Sequence, residues 1–291
     1  MNATYQTELD FYTLCDKPSQ ADLDEYYAQK YFQESKSKAY AAHYTEQELR
    51  LFRQKLEQRY AAICACQDTG AYQRFLDVGC GEGFALAFFA ERGYQVKGLD
   101  YSRAGIEQHH PQLLEHLVEG DVFASLQAEI AAGQTYDIIW LQHVLEHVLE
   151  PMTLLQQLKS LVAPGGVLVV TVPNDFSALQ QKALDEGRID RPFWIAVPDH
   201  ISYFNTHSID KVVAHTGWRL LDKMTDFPID WFLFHQHTNY VQNPTLGKPA
   251  HQARMALEDL IADNPPEAVN AFYRALANIG MGRSVTVILA H

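Results

Sequence analysis

Several things are scarce or missing in this 291-residue chain, and each absence removes a class of function. There are four cysteines, Cys15, Cys64, Cys66 and Cys80, and no two of them form a CxxC pair, so neither a zinc ribbon nor a thioredoxin-type centre is expected. There is no basic excess. The net charge of −13 leaves nothing to displace counterions from a phosphate backbone or an anionic lipid surface. The densest basic run, Lys30 to Arg59, is interleaved with glutamates and reads as a solvated helix face. No apolar run is long enough to span a bilayer, and the opening MNATYQTELD has neither the basic nor the apolar region of a signal peptide. The expectation is a reducing, cytoplasmic setting with no nucleic-acid partner and no membrane insertion. A homodimer is left open.

What is present belongs to a folded globular protein, with 47% apolar and 12% aromatic residues. Residues 20 to 66 read as helical: Leu49, Phe52, Leu56, Tyr60 and Ile63 recur at helical spacing, and Thr45 with Glu48 forms a capping box. From residue 73 the pattern changes. QRFLDVG, YQVKGLD, HLVEGD, YDIIWL and GGVLVVTVP are short apolar runs, separated by helical stretches at 83–92, 102–114, 123–132 and 151–162. Strands alternating with helices predict βαβ units and an α/β fold whose parallel sheet is covered on both faces. WRLLDKMTDF and RSVTVILAH supply a sixth and a seventh strand. The segment between them includes NPPEAVNAFYRALANIG, a helix opened by Asn264 and Pro265.

The first strand ends in FLDVGCGEGF, where Gly79, Gly81 and Gly83 let the backbone turn tightly and approach a ligand. A nicotinamide fingerprint needs its third glycine at 84, and Phe84 stands there. Asp77 just before the loop would repel a pyrophosphate. Asp100 closes the second strand, where a carboxylate can chelate two ribose hydroxyls, and Asp121 closes the third, placed for an adenine amino group. One acid at a strand end is usually a turn former or N-cap. Three at successive strand ends beside a glycine loop point to a nucleoside without phosphates.

LDVGCGEG, GLDYS, EGDVF, YDIIWLQHVLEHV and LVAPGGVLVVTVPN resemble, in order and spacing, the motifs of class I S-adenosylmethionine-dependent methyltransferases. The likeness is closest to the branch of ubiquinone-biosynthesis O-methyltransferases and polysaccharide-cluster methyltransferases. It is strong over residues 72 to 173 and weaker through PDHISYFNTHSIDKVVAHTGWRL. The resemblance implies a Rossmann-like, seven-stranded, mostly parallel sheet of order 3-2-1-4-5-7-6. An N-terminal helical cap (1–70) would precede the core (71–226). A helical rim insertion (227–282) and the final strand (283–291) would follow. It also implies S-adenosylmethionine as cofactor and a small-molecule acceptor. The loop residues Asp77, Gly79, Cys80, Gly81 and Gly83 would bind the cofactor, with Asp77 and Gly79 at its methionine end. Asp100 would hold the ribose, Tyr101 the adenine face, Asp121 and Val122 the adenine edge, and Leu141 and Gln142 the methionine moiety.

The motif QHVLEHVLEP places His143, Glu146 and His147 on one face if it is a helical turn. Three readings stay open: packing under the cofactor loop, a base or substrate-orienting role for His143, and a metal site. In the ubiquinone branch the matching motif is Glu-x-x-Glu-His, which resembles a divalent-cation site. Replacing its first acid by His143 weakens a magnesium site, so no metal is assigned. His200, with Asp199 as its orienter, is the second candidate base. His207, His235 and His237 read as surface or rim residues. Tyr26, Tyr27, Tyr31, Phe32, Phe193, Trp194, Tyr203, Phe204, Trp231, Phe232 and Phe234 are either stacking platforms for an acceptor or core filler. Arg188 and Arg191, in a long connection that reads as a lid, could bind a substrate anion or be surface charges. After strand four the chain reads LQHV, without the Asn/Asp-Pro-Pro-Tyr/Phe of nucleic-acid methylases. A cofactor-binding protein without turnover is the rival class.

Overall fold

A computed structural model describes residues 3–29 and 43–291. In chain order the elements are β1 (Thr4–Gln6), β2 (Tyr12–Leu14), α1 (Gln20–Gln29), α2 (Glu46–Cys66), β3 (Arg74–Val78), α3 (Phe84–Ala90), β4 (Gln95–Asp100), α4 (Ala104–His109), β5 (Leu117–Glu119), α5 (Val122–Ala131), β6 (Tyr136–Gln142), α6 (Pro151–Lys159), β7 (Val162–Pro173), α7 (Ala178–Asp185), β8 (Ser202–Tyr203), α8 (Ser208–His215), β9 (Arg219–Thr225), α9 (Gly247–Ala262), α10 (Pro266–Asn278) and β10 (Ser284–Ala290). The main sheet has the order β5-β4-β3-β6-β7-β10-β9, with β10 antiparallel to both neighbours and the other pairings parallel. Numbered along the sheet's own strands, that is 3-2-1-4-5-7-6, the order the resemblance implies.

Strand alternation sends consecutive apolar residues to opposite faces, and each face meets its own helices. Leu76, Ile139, Leu141, Leu168 and Val170 pack with Leu126 of α5, Leu154 and Leu158 of α6 and Val212 of α8. Phe75, Ile138, Trp140, Val167 and Val169 pack with Ile63 of α2, Leu86 and Phe89 of α3 and Tyr273 of α10. This two-sided burial explains why the strands read as near-continuous apolar runs. The capping box at Thr45 forms: its hydroxyl accepts from Glu48 N at 3.3 Å, and Glu48 Oε2 accepts from Thr45 N at 2.8 Å.

Two readings change. The first fourteen residues carry strands β1 and β2, which form a second, antiparallel sheet with β8. The connection after β7 that read as a lid is built in: α7 has its own capping box at Ser177 and Gln180, and Trp194, Tyr203 and Leu14 share a third buried cluster. Phe204 lies in the main core. The buried aromatics among the candidates are therefore filler, whereas Trp231 is half exposed. The Tyr27 side chain, Tyr31, Phe32 and the 30–42 part of the helical reading lie outside the described residues. No helix among the described residues is long and apolar enough to cross a membrane.

Candidate active site

The carboxyl ends of β3, β4 and β6 bring most of the expected cofactor residues to one edge of the sheet. Gly79 has φ 74°, and its N–H donates to Leu99 O at 2.8 Å. A Cβ there would lie 2.3 Å from Val144 Cγ2, so only glycine lets the loop after β6 close against it. Asp100 is buried. Its Oδ2 accepts from Gly81 N at 2.8 Å and its Oδ1 from Ser102 N at 3.0 Å, which clamps the glycine loop to the end of β4. Cys80 is buried in the core, and burial pushes its thiol well above the ordinary range, so it is no nucleophile. Asp121 is the N-cap of α5: Oδ1 accepts from Ala124 N at 2.7 Å and Oδ2 from Tyr101 OH at 2.5 Å. Both of its oxygens are thus engaged by the protein, and Val122 beside it is buried.

Two buried ionisable groups, Asp77 on β3 and Arg59 on α2, lie at this edge. Asp77 is buried, has no hydrogen-bond partner among the described residues, and is pushed up to about 8 by burial and by the charge of Asp100. Arg59 of α2 is buried too. Its guanidinium donates to Gln142 Oε1 at 2.5 Å and lies 5.8 Å from the Trp140 ring, with no carboxylate within ion-pair distance among the described residues. A buried guanidinium with only the more distant charges of Asp226 and Glu258 to balance it, and a buried carboxyl without a partner, are each costly. A zwitterion lying between them, ammonium toward Asp77 and carboxylate toward Arg59, would satisfy both. The methionine portion of S-adenosylmethionine fits this demand. Sequence reading missed Arg59, although the signal was there: with Phe52, Leu56 and Ile63 it occupies the apolar stripe of α2, where a charge is out of place.

The residues after β6 depart from the helical expectation. His143 has φ 54°, its N–H donates to Thr171 O at 2.9 Å, and a single turn closes with His147 N donating to Val144 O at 3.0 Å. The three side chains still converge. Glu146 is 1% exposed, its Oε1 lies 3.2 Å from His143 Nδ1 and 3.9 Å from His147 Nε2, and its Oε2 has no partner among the described residues. Burial alone would raise this carboxyl, but the His143 hydrogen bond and the charges of His147, His143 and His200 hold it down to about 2. His147 Nδ1 lies 2.6 Å from Asp199 O, and a carbonyl only accepts, so Nδ1 carries the proton.

Asp199 is not the orienter of His200. Its carbonyl takes His147 and its side chain accepts from Tyr26 OH at 3.1 Å. The carboxylate facing His200 is Asp175, with Oδ2 at 3.9 Å from Nδ1 and Oδ1 held by Arg283 Nη1 at 2.7 Å. Burial would lower His200, yet Asp175, Glu146 and Asp199 raise it above its ordinary value. Glu146, His147 and His200 also hold ligand atoms within 4.8 Å of one another, one carboxylate and two imidazoles, a set suited to a zinc- or iron-like ion rather than magnesium. Arg188 and Arg191 are spent on protein groups, Glu186 and Phe234 O for the first, Asp190 and Val241 O for the second. His207 pairs with Asp10 at the surface.

The sheet order and this edge define a class I methyltransferase fold. A family model described as a methyltransferase domain matches residues 38–223, and the chain belongs to that methyltransferase family. The ubiquinone biosynthesis O-methyltransferase of Vibrio cholerae is 29% identical over 151 residues, 50% of this chain and 60% of that protein. Its counterpart in Saccharophagus degradans is 35% identical over 106 residues, 36% of this chain and 45% of that protein. The chain thus matches about three fifths or less of the length of these relatives. A methyltransferase structure from Archaeoglobus fulgidus aligns with a TM-score of 0.53 at 17% identity, covering 83% of this chain and 93% of that one. The magnesium protoporphyrin IX methyltransferase of Synechocystis, solved with S-adenosylhomocysteine, aligns at 0.50 and 17% identity, covering 72% and 94%. Both show the same fold.

Proposed function

We propose that this chain transfers a methyl group from S-adenosylmethionine to a hydroxyl of a small molecule, a sugar or nucleotide-sugar of surface-glycan biosynthesis. The observation that carries the transfer is a pair of buried groups at the edge that holds the glycine loop: Asp77, without a hydrogen-bond partner among the described residues, and Arg59, bonded to Gln142 with no carboxylate in ion-pair reach among them. The cofactor supplies an activated methyl on a sulfonium. The protein's part is to hold acceptor oxygen and methyl in line and to remove the hydroxyl proton. His200 is the base this reading prefers, because the Asp175 carboxylate, itself held by Arg283, faces its Nδ1 at 3.9 Å, and it would take the proton as the oxygen–carbon bond forms and the carbon–sulfur bond breaks. His143, more exposed and tied to Glu146, orients the acceptor.

A phenolic or quinone-like acceptor is the second reading, favoured by the likeness to ubiquinone biosynthesis O-methyltransferases. The deciding experiment is calorimetric titration with S-adenosylhomocysteine, with NAD as control. Binding of the former alone is expected. Asp100→Ala should weaken it by about 100-fold or more, the value of two hydrogen bonds to a carboxylate at about 1.5–3 kcal/mol each. Equal affinity of the variant would remove Asp100 from the ribose. Binding without transfer to any hydroxyl acceptor would leave the non-catalytic alternative.

A further inference from the structure

Among the described residues, three that are not glycine have a positive φ: Asp10, His143 and Phe176. Two of them, His143 and Phe176, follow the carboxyl ends of the neighbouring strands β6 and β7, the edge that carries the proposed base. An aromatic residue at φ 52° is a costly backbone choice, and such residues persist only where their surroundings over-determine them. Filler does not demand it. Trp194 and Tyr203 pack in the same aromatic cluster from ordinary backbone.

The segment around Phe176 is fixed on both sides. Asn174 N donates to Arg283 O at 2.8 Å, its Nδ2 donates to Gly282 O at 2.9 Å, and its Oδ1 accepts from Thr206 N at 3.1 Å. Asp175 N donates to Phe204 O at 2.7 Å, and Ser177 already caps α7. The chain must turn from strand to helix at Phe176, and the left-handed residue is that turn. Its ring is clamped, stacked on Tyr12 at 3.9 Å and 9°, and edge-on to Trp194 at 5.5 Å and Tyr203 at 5.8 Å. Tyr12 is in register with Tyr203 across β2 and β8, so the small sheet delivers both rings to the same side.

What the turn holds in place is Asp175. Its Oδ1 is taken by Arg283, and its Oδ2 faces His200 Nδ1 at 3.9 Å. Both facing atoms are buried, and neither has a hydrogen-bond partner among the described residues. Glu146, His147 and Asp199 also face His200, but none of them bonds to Nδ1. A lone pair on Nδ1 would oppose the carboxylate, whereas a proton there is attracted to it, in a contact of the kind that tightens when a ligand closes a site. The partner of one ring nitrogen decides which of the two carries the proton. With the proton on Nδ1, the lone pair stays on Nε2. We infer that Tyr12 and Phe176 are positioning residues for the transfer: their stack holds the left-handed turn that aims Asp175 at His200 Nδ1, and so fixes Nε2 as the nitrogen that takes the acceptor's proton. The inference rests on His200 being the base and says what prepares it for that role.

The test uses the full chain with ¹⁵N-labelled histidines, a metal chelator present, at a pH where His200 is neutral. The His200 resonances are assigned by their loss in His200→Gln, and the ring nitrogen shifts report the tautomer. The parent should show Nδ1–H. Tyr12→Leu and Phe176→Ala should each turn it predominantly to Nε2–H, whereas Tyr12→Phe, which keeps the stacked ring, should match the parent. The first two probe the stack from its two sides, so either decides if the other fails to fold. Asp175→Asn should give Nε2–H by itself, because an amide N–H then faces Nδ1, and adding Tyr12→Leu should change the tautomer no further. Nε2–H in the parent, Nδ1–H retained in both Tyr12→Leu and Phe176→Ala, or Nε2–H in Tyr12→Phe overturns the inference alone. Full turnover in His200→Ala ends the base reading, and the inference with it.

Discussion

Asp77, proposed to meet the cofactor's ammonium, is a buried carboxyl whose ionisation works against stability. With its folded value near 8 and an unfolded value near 3.8, the native state holds the proton more tightly than the unfolded chain between those pH values. Native stability from this group is therefore greatest in acid and falls as pH rises toward 8. Asp77→Asn removes that loss, so the cofactor-free variant should melt higher than the parent, by a margin that grows from pH 5 to pH 8. The same variant should bind S-adenosylhomocysteine more weakly, because the ammonium loses its charged partner. A melting gain that is flat with pH would mean Asp77 is ionised and satisfied by something else.

His200 titrates in the opposite sense. Its raised folded value means that the stability it contributes is complete below about 6.5, the ordinary histidine value, and is lost as pH climbs above it. As the base, it gives a rate that rises with pH through that same raised value. Asp175→Asn, which retains an acceptor for Arg283, should move the midpoint of the rate profile down. A lower rate with an unmoved midpoint would reduce Asp175 to scaffold, and full turnover with normal pH dependence in His200→Ala would remove the histidine as base. Loss of activity on chelation, restored by zinc, would instead favour the metal-binding option for Glu146, His147 and His200.

At the scale of elements, the loop carrying His200 is held by the N-terminal hairpin. Thr13 Oγ1 donates to Ile201 O at 3.0 Å, Leu14 N donates to the same oxygen at 3.1 Å, and the Phe11 and Phe204 rings sit 4.9 Å apart. Deleting residues 1–14 should speed amide exchange across 196–204 and lower turnover, while S-adenosylhomocysteine affinity changes by no more than about twofold, since the cofactor edge is built from other strands. Unchanged exchange at 196–204 would show that the loop holds itself. The hairpin was invisible in the sequence because its strands are three residues long and their partner, β8, is two. Strand-by-strand periodicity cannot see pairing across most of the chain. The main sheet was readable for the opposite reason: β3, β6, β7 and β10 are buried on both faces, and burial writes apolar runs that need no partner to be recognised. The motif after β6 lay between these cases. Spacing placed His143, Glu146 and His147 together, but their meeting is made by a left-handed residue and one turn, not by a helix. The orienter of His200 was misassigned because Asp199 is adjacent in sequence while Asp175 arrives from the end of another strand.

At the scale of the whole molecule, net charge and cofactor linkage give the plainest test. Saturating with S-adenosylhomocysteine at about 100 times its dissociation constant stabilises the native state by about 2.7 kcal/mol. For a chain of this length that corresponds to a melting rise of about 4–5 °C. NAD at equal concentration should give none. A rise with NAD and not with S-adenosylhomocysteine would mean the Phe84 argument had failed. Duplex DNA should give no shift at any salt concentration, because a surface of net charge −13 has no counterions to release from it.

The small sheet also has a consequence for how the chain comes into being. Thr13 and its acceptor at Ile201 are 188 residues apart. At a synthesis rate of about 5–20 residues per second, the first strands emerge roughly 10–40 s before the strand they pair with. For that interval β1 and β2 present an open edge to the cytosol of whatever cell makes them. Nascent chains stalled before residue 200 should therefore be bound by holdase chaperones through their first fourteen residues, and chains stalled well beyond β8 should have let go.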